Sequence, residues 1–446
     1  MARRADDVPA VSAARPSSSE PARIAPARRC AFVVLLRVFE QGAYTDRALP
    51  SEARELDARD RALAMRLAYG AVQRRGTLDH LIERLAGRPV ARLDPPVLAA
   101  LRLGLYELLY LRGAPDHAVV ADAVELAKTT GRAGHGLVNA VLRRATREGP
   151  ALLGELREDT PAHAATMHSH PEWIARLWWE ELGADGARAL MAANNEPAEL
   201  ALRANTLLTT AAELARALPV ATHTDPRLPE ALVLDGPLDL HGSPLWSEGA
   251  FLAQSRAAML VARALDPQPG ERVLDLCAAP GGKSTHLAAL MQGRGEVVAV
   301  ERNPHRAADL QRTAQRLHAP NVRVELADAA LPRGSEAPFD RVLVDPPCSG
   351  LGTLQARADL RWRVTPEGVR EMAGIQASIL AAGAAVLRPG GVLVYSTCTI
   401  SPTENELQIA SFRESHPDFA PVGSPVMTLP HRDRTAGFFI ARLRRS

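Results

Sequence analysis

Hydrophobic residues recur at every third or fourth position through residues 27–149, in AFVVLLRVFEQG, RDRALAMRLAYGAVQRR, LDHLIERLAG, PPVLAALRLGLYELLYL and VVADAVELAKTTG. Gly, Pro or Asp stands at the breaks, so the stretch predicts a helical bundle. Between residues 150 and 262 the pattern is mixed. HPEWIARLWWEELG, GARALMAANN and AAELARAL read as helices, LALRANTL and ALVLD as strands, and GAFLAQSRAAMLVARAL as a helix entering the next region. From 263 to 446 short apolar runs alternate with helical spacing: RVLDL, EVVAVE, NVRVEL, RVLVD, GVLVYST and GFFIARL. This alternation predicts an α/β Rossmann-like parallel sheet with helices on both faces. Residues 1–26, rich in Ala, Arg, Pro and Ser, lack any period and predict a disordered tail.

Composition changes this picture in three places. The formal charge of +2 conceals a basic front, with 24 Lys+Arg against 17 Asp+Glu in residues 1–150 and 29 against 34 in the rest. Such an excess fits either a polyanionic partner or a solvated surface. Aromatic residues make up only 4% of the chain, and Trp173, Trp178 and Trp179 lie at helical spacing, which favours core packing over base stacking. The four cysteines, Cys30, Cys277, Cys348 and Cys398, form no CxxC pair, so neither a metal site nor a disulfide framework is expected. Without a signal-peptide core or a run of transmembrane length, a soluble cytoplasmic protein is expected.

The stretch Arg272–Leu287, RVLDLCAAPGGKSTHL, carries the first chemistry. Val273, Leu274 and Leu276 form an apolar run, Pro280, Gly281 and Gly282 break it, and Ser284 and Thr285 suit a helix start. Such a turn brings backbone N–H groups close to a ligand. Glu301 ends VVAVE twenty positions after Gly281, about where a dinucleotide-type fold places an acid on ribose hydroxyls. GGKST looks like the end of a phosphate loop, but Cys277 stands where that motif needs glycine. Lys283 is one of only two lysines, with Lys128, and suits either a cofactor contact or an ordinary surface.

Ligands of parallel sheets bind beyond the carboxyl ends of the strands. The residues there are Cys277, Glu301, Asp328, Asp345 and Cys398, with Cys348 just past Asp345-Pro346-Pro347. Methyltransferases of exocyclic amines place an aromatic ring after a similar Asp/Asn-Pro-Pro. The thiol here disfavours amine methylation. Carbon 5 of a pyrimidine is a weak nucleophile, and a thiolate added at carbon 6 pushes electrons toward it. A second cysteine can then help remove a proton or release the product, while an acid hydrogen-bonds the ring nitrogen and amine. The base must leave its stack to reach such a pocket. Cys30, alone in a helical stretch, reads as a buried small hydrophobe.

RDRALAMRLAYGAVQRRGTLDHLI, LRLGLYELLYL, PDHAVVADAVELAK and GLVNAVLRR resemble the RNA-binding helical domain of NusB-type antitermination factors, in the form fused to bacterial ribosomal RNA methyltransferases. PEWIARLW, LRANTL and GAFLAQS are similar to the linker subdomain of those enzymes. VLDLCAAPGGKSTHLA, RVLVDPPCSGLGTL and LVYSTCTISPTENE, in this order, resemble bacterial RNA 5-methylcytosine methyltransferases that use S-adenosyl-L-methionine. Together they identify the chain as a member of the RsmB/Sun/Fmu family. The resemblance implies a NusB-like domain over 27–149, a small α+β linker over 150–262 and a catalytic domain over 263–446. It also implies a monomer acting on small-subunit 16S ribosomal RNA.

Carried onto this chain, the resemblance makes Cys398 the nucleophile and Cys348 the assisting thiol. Cys277, Ala278, Ala279, Pro280, Gly281, Gly282 and Lys283 would wrap the amino-acid part of the cofactor, Glu301 its ribose and Asp328 its adenine amine. Asp345 would lie between cofactor and base. Glu404 and Glu406 read as a solvated helix start. The chain departs from the family at Glu301, often Asp, at Ala358, usually Pro, and in DRTA before the last strand. Three rivals remain: a DNA cytosine methyltransferase attacking through Cys348, a nucleotide hydrolase built on GGKST, and a non-catalytic RNA-binding scaffold.

Overall fold

The computed structural model describes residues 24–446 except 112, 130, 132 and 334–337. The predicted tail lies outside the described residues up to position 23; Ile24 is buried and Pro26 already opens a helix. Two compact units are distinguished. One comprises the described residues up to 43 with 47–71 and 81–153, and the other 44–46, 72–80 and 154–446.

The front of the chain is helical, as its apolar spacing dictates: α1 (Pro26–Glu40), α2 (Thr45–Glu52), α3 (Ala58–Gln73), α4 (Arg75–Ala86), α5 (Pro95–Tyr110), α6 (Asp116–Lys128) and α7 (His135–Gly154). In the first unit Phe32, Leu35, Leu67, Leu101 and Leu142 are buried. Arg28 of α1 donates to Glu107 of α5 at 2.8 Å and to Asp122 of α6 at 2.9 Å, pinning three helices together. Cys30 is buried on α1, as expected for a small hydrophobe.

The second unit begins with α8 (Pro161–His168) and α9 (Glu172–Ala193), whose helical path breaks at Gly183 with φ 71°. Trp178 is fully buried, its Nε1 donating to Ile400 O at 3.2 Å, and Trp173 and Trp179 pack on the same core. A small antiparallel sheet follows: β1 (Ala201–Ala204), α10 (Ala211–Ala217), β2 (Thr222–Asp225), β3 (Leu228–Leu234), α11 (Pro244–Ser247) and β4 (Phe251–Ala253), ordered β2-β3-β1-β4. The stretch GAFLAQSRAAMLVARAL is therefore not one helix. Its first apolar residues pair with β1, Phe251 opposite Ala204, and helix begins only after Ser255, whose side chain caps Ala258 N.

The remainder folds as α12 (Arg256–Leu265), β5 (Arg272–Leu276), α13 (Gly282–Leu290), β6 (Glu296–Glu301), α14 (Pro304–Arg316), β7 (Val322–Leu326) and β8 (Phe339–Val344), then α15 (Pro366–Ala385) and β9 (Leu387–Thr397). After these come α16 (Glu406–Ser415), β10 (Phe419–Pro421), β11 (Val426–Thr428), α17 (Pro430–Asp433) and β12 (Phe438–Arg445). The sheet order is β10-β12-β9-β8-β5-β6-β7, with β11 on β12. Strands β5 to β9 pair in parallel, whereas β12 runs antiparallel to β9, so the sheet is mixed at this end. Successive strand residues face opposite ways, and both faces are covered. Val273, Val297 and Leu343 join a core with α12, α13 and α14, and Leu274, Val298 and Val342 join one with α15 and α16. Every functional residue proposed from the sequence consequently falls at one edge, where the parallel strands end.

Candidate active site

The turn after β5 is built from backbone that few side chains tolerate. Cys277 has φ 64° and Gly281 φ 99°, and a Cβ on Gly281 would lie 2.7 Å from Leu310. The turn delivers the chain into α13, whose first N–H groups have no partner within the helix. A cavity of about 380 Å³ opens here, lined by Asp275, Cys277, Ala278, Ala279, Pro280, Gly282, Lys283 and Asp345. Asp275 is buried in β5; Ser284 Oγ donates to its Oδ2 at 2.6 Å, while Oδ1 has no partner among the described residues. Burial pushes this carboxyl up to about 7. Burial, more than any charge, likewise pushes the Cys277 thiol up to about 12, so it contributes backbone rather than a thiolate.

Asp345, just past β8, is held from α13 and from β9. Lys283 Nζ donates to Oδ2 at 2.7 Å and Ser396 Oγ to Oδ1 at 2.8 Å. Burial works to lower the Lys283 ammonium, but the Asp345 carboxylate outweighs it and holds that pKa above the ordinary lysine value. Beyond these strands Cys348 Sγ and Cys398 Sγ stand 3.2 Å apart. The hydrogen bond from Cys348 holds the Cys398 thiol below its ordinary value against the opposing pull of burial and Asp345, while Lys283 and Arg357 assist. The same bond drives Cys348 well above the ordinary thiol value. Of the two, Cys398 is the more readily ionised thiol.

Cys398 faces a second, largely apolar cavity of about 390 Å³, lined by Leu200, Leu202, Leu234, Leu238, Leu240 and Gln254 of the small sheet and its loops. Gly352, Thr353, Arg357 and Phe438 complete it from the other side. Gly352 N donates to Cys398 O at 3.0 Å, and a Cβ there would sit 2.0 Å from Gly437 O, so only glycine allows this approach. The two cavities share Ala253 and Gln254. Glu301 and Asp328 lie further along the same edge and line neither. Glu301 Oε1 accepts from Asn303 N at 2.9 Å, and Asp328 Oδ1 from Ala330 N at 3.0 Å.

A probable ribosomal RNA small subunit methyltransferase B of Synechocystis is 37% identical over 448 residues, covering 94% of this chain and 99% of that protein. The chain belongs to the ribosomal RNA small subunit methyltransferase B family. A Bacillus subtilis relative of the same description is 35% identical, covering 94% of this chain and 98% of its own. The family model described as 16S rRNA methyltransferase RsmB/F matches residues 262–444, the NusB family matches 25–147, and an RsmF/B-like ferredoxin-like domain matches 170–241. The crystal structure of PH0851 superposes with a TM-score of 0.81 at 26% identity, covering 96% of this chain and 100% of that one. Among the described residues of this family member, no helix is long and apolar enough to cross a membrane.

Sequence reasoning missed several residues here. Asp275 sits inside an apolar strand, where a lone carboxylate between leucines is a signal that was available. Ser396, Arg357 and Arg203 carry no local signal. Arg203 of β1 is buried, donating to Gly282 O, to Gln254 Oε1 at 2.7 Å and to Thr285 Oγ1 at 2.8 Å, which ties the small sheet to the glycine turn. Arg203→Met leaves these acceptors without their donor and is expected to cost about 2–4 kcal/mol in urea unfolding.

Proposed function

We propose that this protein transfers a methyl group from S-adenosyl-L-methionine to carbon 5 of a cytosine in 16S ribosomal RNA, through a covalent bond between Cys398 and the base. The observation that carries this reading is the pair of thiols 3.2 Å apart at the wall of an apolar cavity, next to an aspartate held by a lysine. A phosphoryl-transfer site or a plain RNA scaffold has no use for such a pair.

The residues present fit the cofactor. Asp275 Oδ1, buried and unpaired beside the glycine turn, is an acceptor suited to an ammonium group, and the turn offers backbone donors for a carboxylate. Cys277 through Lys283 with Asp275 would hold the amino-acid part, Glu301 the ribose and Asp328 the adenine. When bound, S-adenosylmethionine supplies an electrophilic methyl group at a sulfonium centre.

The chain's own residues do the rest. Cys398 adds as a thiolate to carbon 6, and the electron pair displaced from the ring makes carbon 5 a nucleophile. Asp345, fixed by Lys283 and Ser396, orients the base through its ring nitrogen and amine. After carbon 5 has taken the methyl group, its C–H electrons re-form the carbon 5–carbon 6 double bond and expel Cys398, and Cys348 relays its own proton to the departing sulfur while taking up the one from carbon 5. The apolar wall of the cavity keeps water from the adduct. The helical region 27–149 is read as the RNA-holding domain, 150–262 as the linker and 263–446 as the catalytic domain of a cytoplasmic monomer.

The test is to incubate the protein with methyl-labelled S-adenosylmethionine and unmodified 16S RNA, then digest the RNA to nucleosides. Label is expected in 5-methylcytidine. Label in another nucleoside, or in DNA alone, overturns the reading.

A further inference from the structure

Glu404, which reads as part of a solvated helix start, is fully buried, whereas Glu406 is exposed. No Lys, Arg or His pairs with Glu404 among the described residues. Its carboxylate is held by neutral donors: Ser349 N at 2.8 Å and Gln376 Nε2 at 2.9 Å reach Oε1, and Ser349 Oγ reaches Oε2. The Glu404 carbonyl accepts from Tyr395 OH at 2.7 Å.

These bonds converge on the thiols. Ser349 directly follows Cys348, and Gln376 also donates to Pro347 O at 2.9 Å, so both neighbours of Cys348 are tied to the Glu404–Gln376 pair. Ser349 Oγ meets Thr399 Oγ1, next to Cys398, at 2.6 Å. Asn405 Nδ2 donates to Thr399 O at 3.1 Å, closing the segment from the other side. Neutral donors alone surround this buried carboxyl group, an arrangement that ties it closely to the Cys348 loop. The charged and titratable groups around the pair are Lys283, Asp345, Arg357, Tyr395 and Glu404. Beside the bond between the thiols and burial, Asp345 raises both, Lys283 and Arg357 lower Cys398, and Glu404 raises Cys348.

We propose that Glu404 is the positioning residue of the thiol pair, its buried carboxylate fixing the loop of Cys348 against Cys398 and keeping the proton on Cys348. This deepens the methyltransferase reading above and rests on it. The distinction matters because two thiols at this distance are chemically alike until their surroundings differ. The bond between the thiols sets most of the difference, and the Glu404 loop with its negative charge on one side, against positive charges on the other, fixes its direction.

The experiment is site-resolved alkylation of the full chain by iodoacetamide across the pH range of thiol ionisation, for wild type, Glu404→Gln and Glu404→Asp, without RNA. In wild type Cys398 should react at lower pH than an ordinary thiol and Cys348 only at higher pH. Glu404→Gln keeps the acceptor and removes the charge. Its Cys348 profile should move down by about one pH unit, a roughly tenfold faster reaction at fixed pH. Cys398, still hydrogen-bonded by Cys348, should move less. Glu404→Asp keeps the charge but falls a methylene short, so its Cys348 profile should stay near wild type while kcat falls and KM for RNA holds. An unmoved Cys348 profile in Glu404→Gln, or equal movement of both thiols, overturns the inference. If Glu404→Gln gives no cooperative melt, a shifted Cys348 profile in Glu404→Asp does so instead. Because the alkylation involves no RNA, its failure leaves a 5-methylcytidine result standing, and failure of that result leaves the alkylation interpretable.

Discussion

Cys398→Ala is expected to lower methyl transfer by roughly 10⁴-fold or more, whereas Cys348→Ala is expected to accumulate protein bound covalently to RNA. The difference follows from where each thiol stands. Cys398 lines the apolar cavity, and the bond with Cys348 and the nearby Lys283 and Arg357 lower its pKa. Without its sulfur, carbon 5 receives no electrons. Cys348 does not line that cavity, and its neighbours Ser349 and Pro347 are tied to Glu404 and Gln376. Removing Cys348 also removes the bond that lowers the Cys398 thiol, which slows attack at neutral pH, but methylation remains possible and release is slowed more. Denaturing gels of wild type and both variants, incubated with 16S RNA and S-adenosylmethionine, read this directly: a retarded band is expected in Cys348→Ala and absent from Cys398→Ala. Trapping that needs Cys348 and survives Cys398→Ala reverses the assignment and restores the mechanism in which a Pro-Cys thiol attacks.

That these groups share one edge of the sheet was legible before the fold was known; their order along it was not. Apolar runs such as RVLDL and GVLVYST mark strands buried on both faces, and the chemistry of such a sheet falls where its strands end. Other features escaped for physical reasons. β4 has three residues and continues into the spacing of α12, so periodicity alone merges the two; the boundary is set by the Ser255 cap and by pairing with β1. The pattern of β12 identifies a strand but carries no direction, which is fixed by its partner β9. β2, with the sequence THTD, is a polar edge with no apolar run to read. Glu404 escaped because a proline, a threonine and two acids in sequence look solvated. Its burial is created by Ser349 and Gln376, 55 and 28 residues away.

Asp345→Asn should separate thiol ionisation from turnover. The aspartate raises the pKa of Cys398, opposing the bond from Cys348. Neutralising it should therefore move the Cys398 alkylation profile to lower pH, giving more thiolate at a given pH below its titration. If thiolate population limited the rate, the variant would be faster. Yet Asp345 also joins Lys283 at 2.7 Å and Ser396 at 2.8 Å at the border of the glycine-turn cavity, where an orienting acceptor for the base is required. An amide there accepts with one atom only and presents donors toward the Lys283 ammonium or the base. Loss of a preorganised charged partner of this kind costs about 10²–10³ in kcat. The expected result is a faster-alkylating Cys398 in an enzyme slowed by that factor, read by iodoacetamide profiles beside single-turnover methyl transfer. Should turnover instead rise with the thiolate fraction, Asp345 does not orient the base, and its bond to Lys283 only restrains the nucleophile.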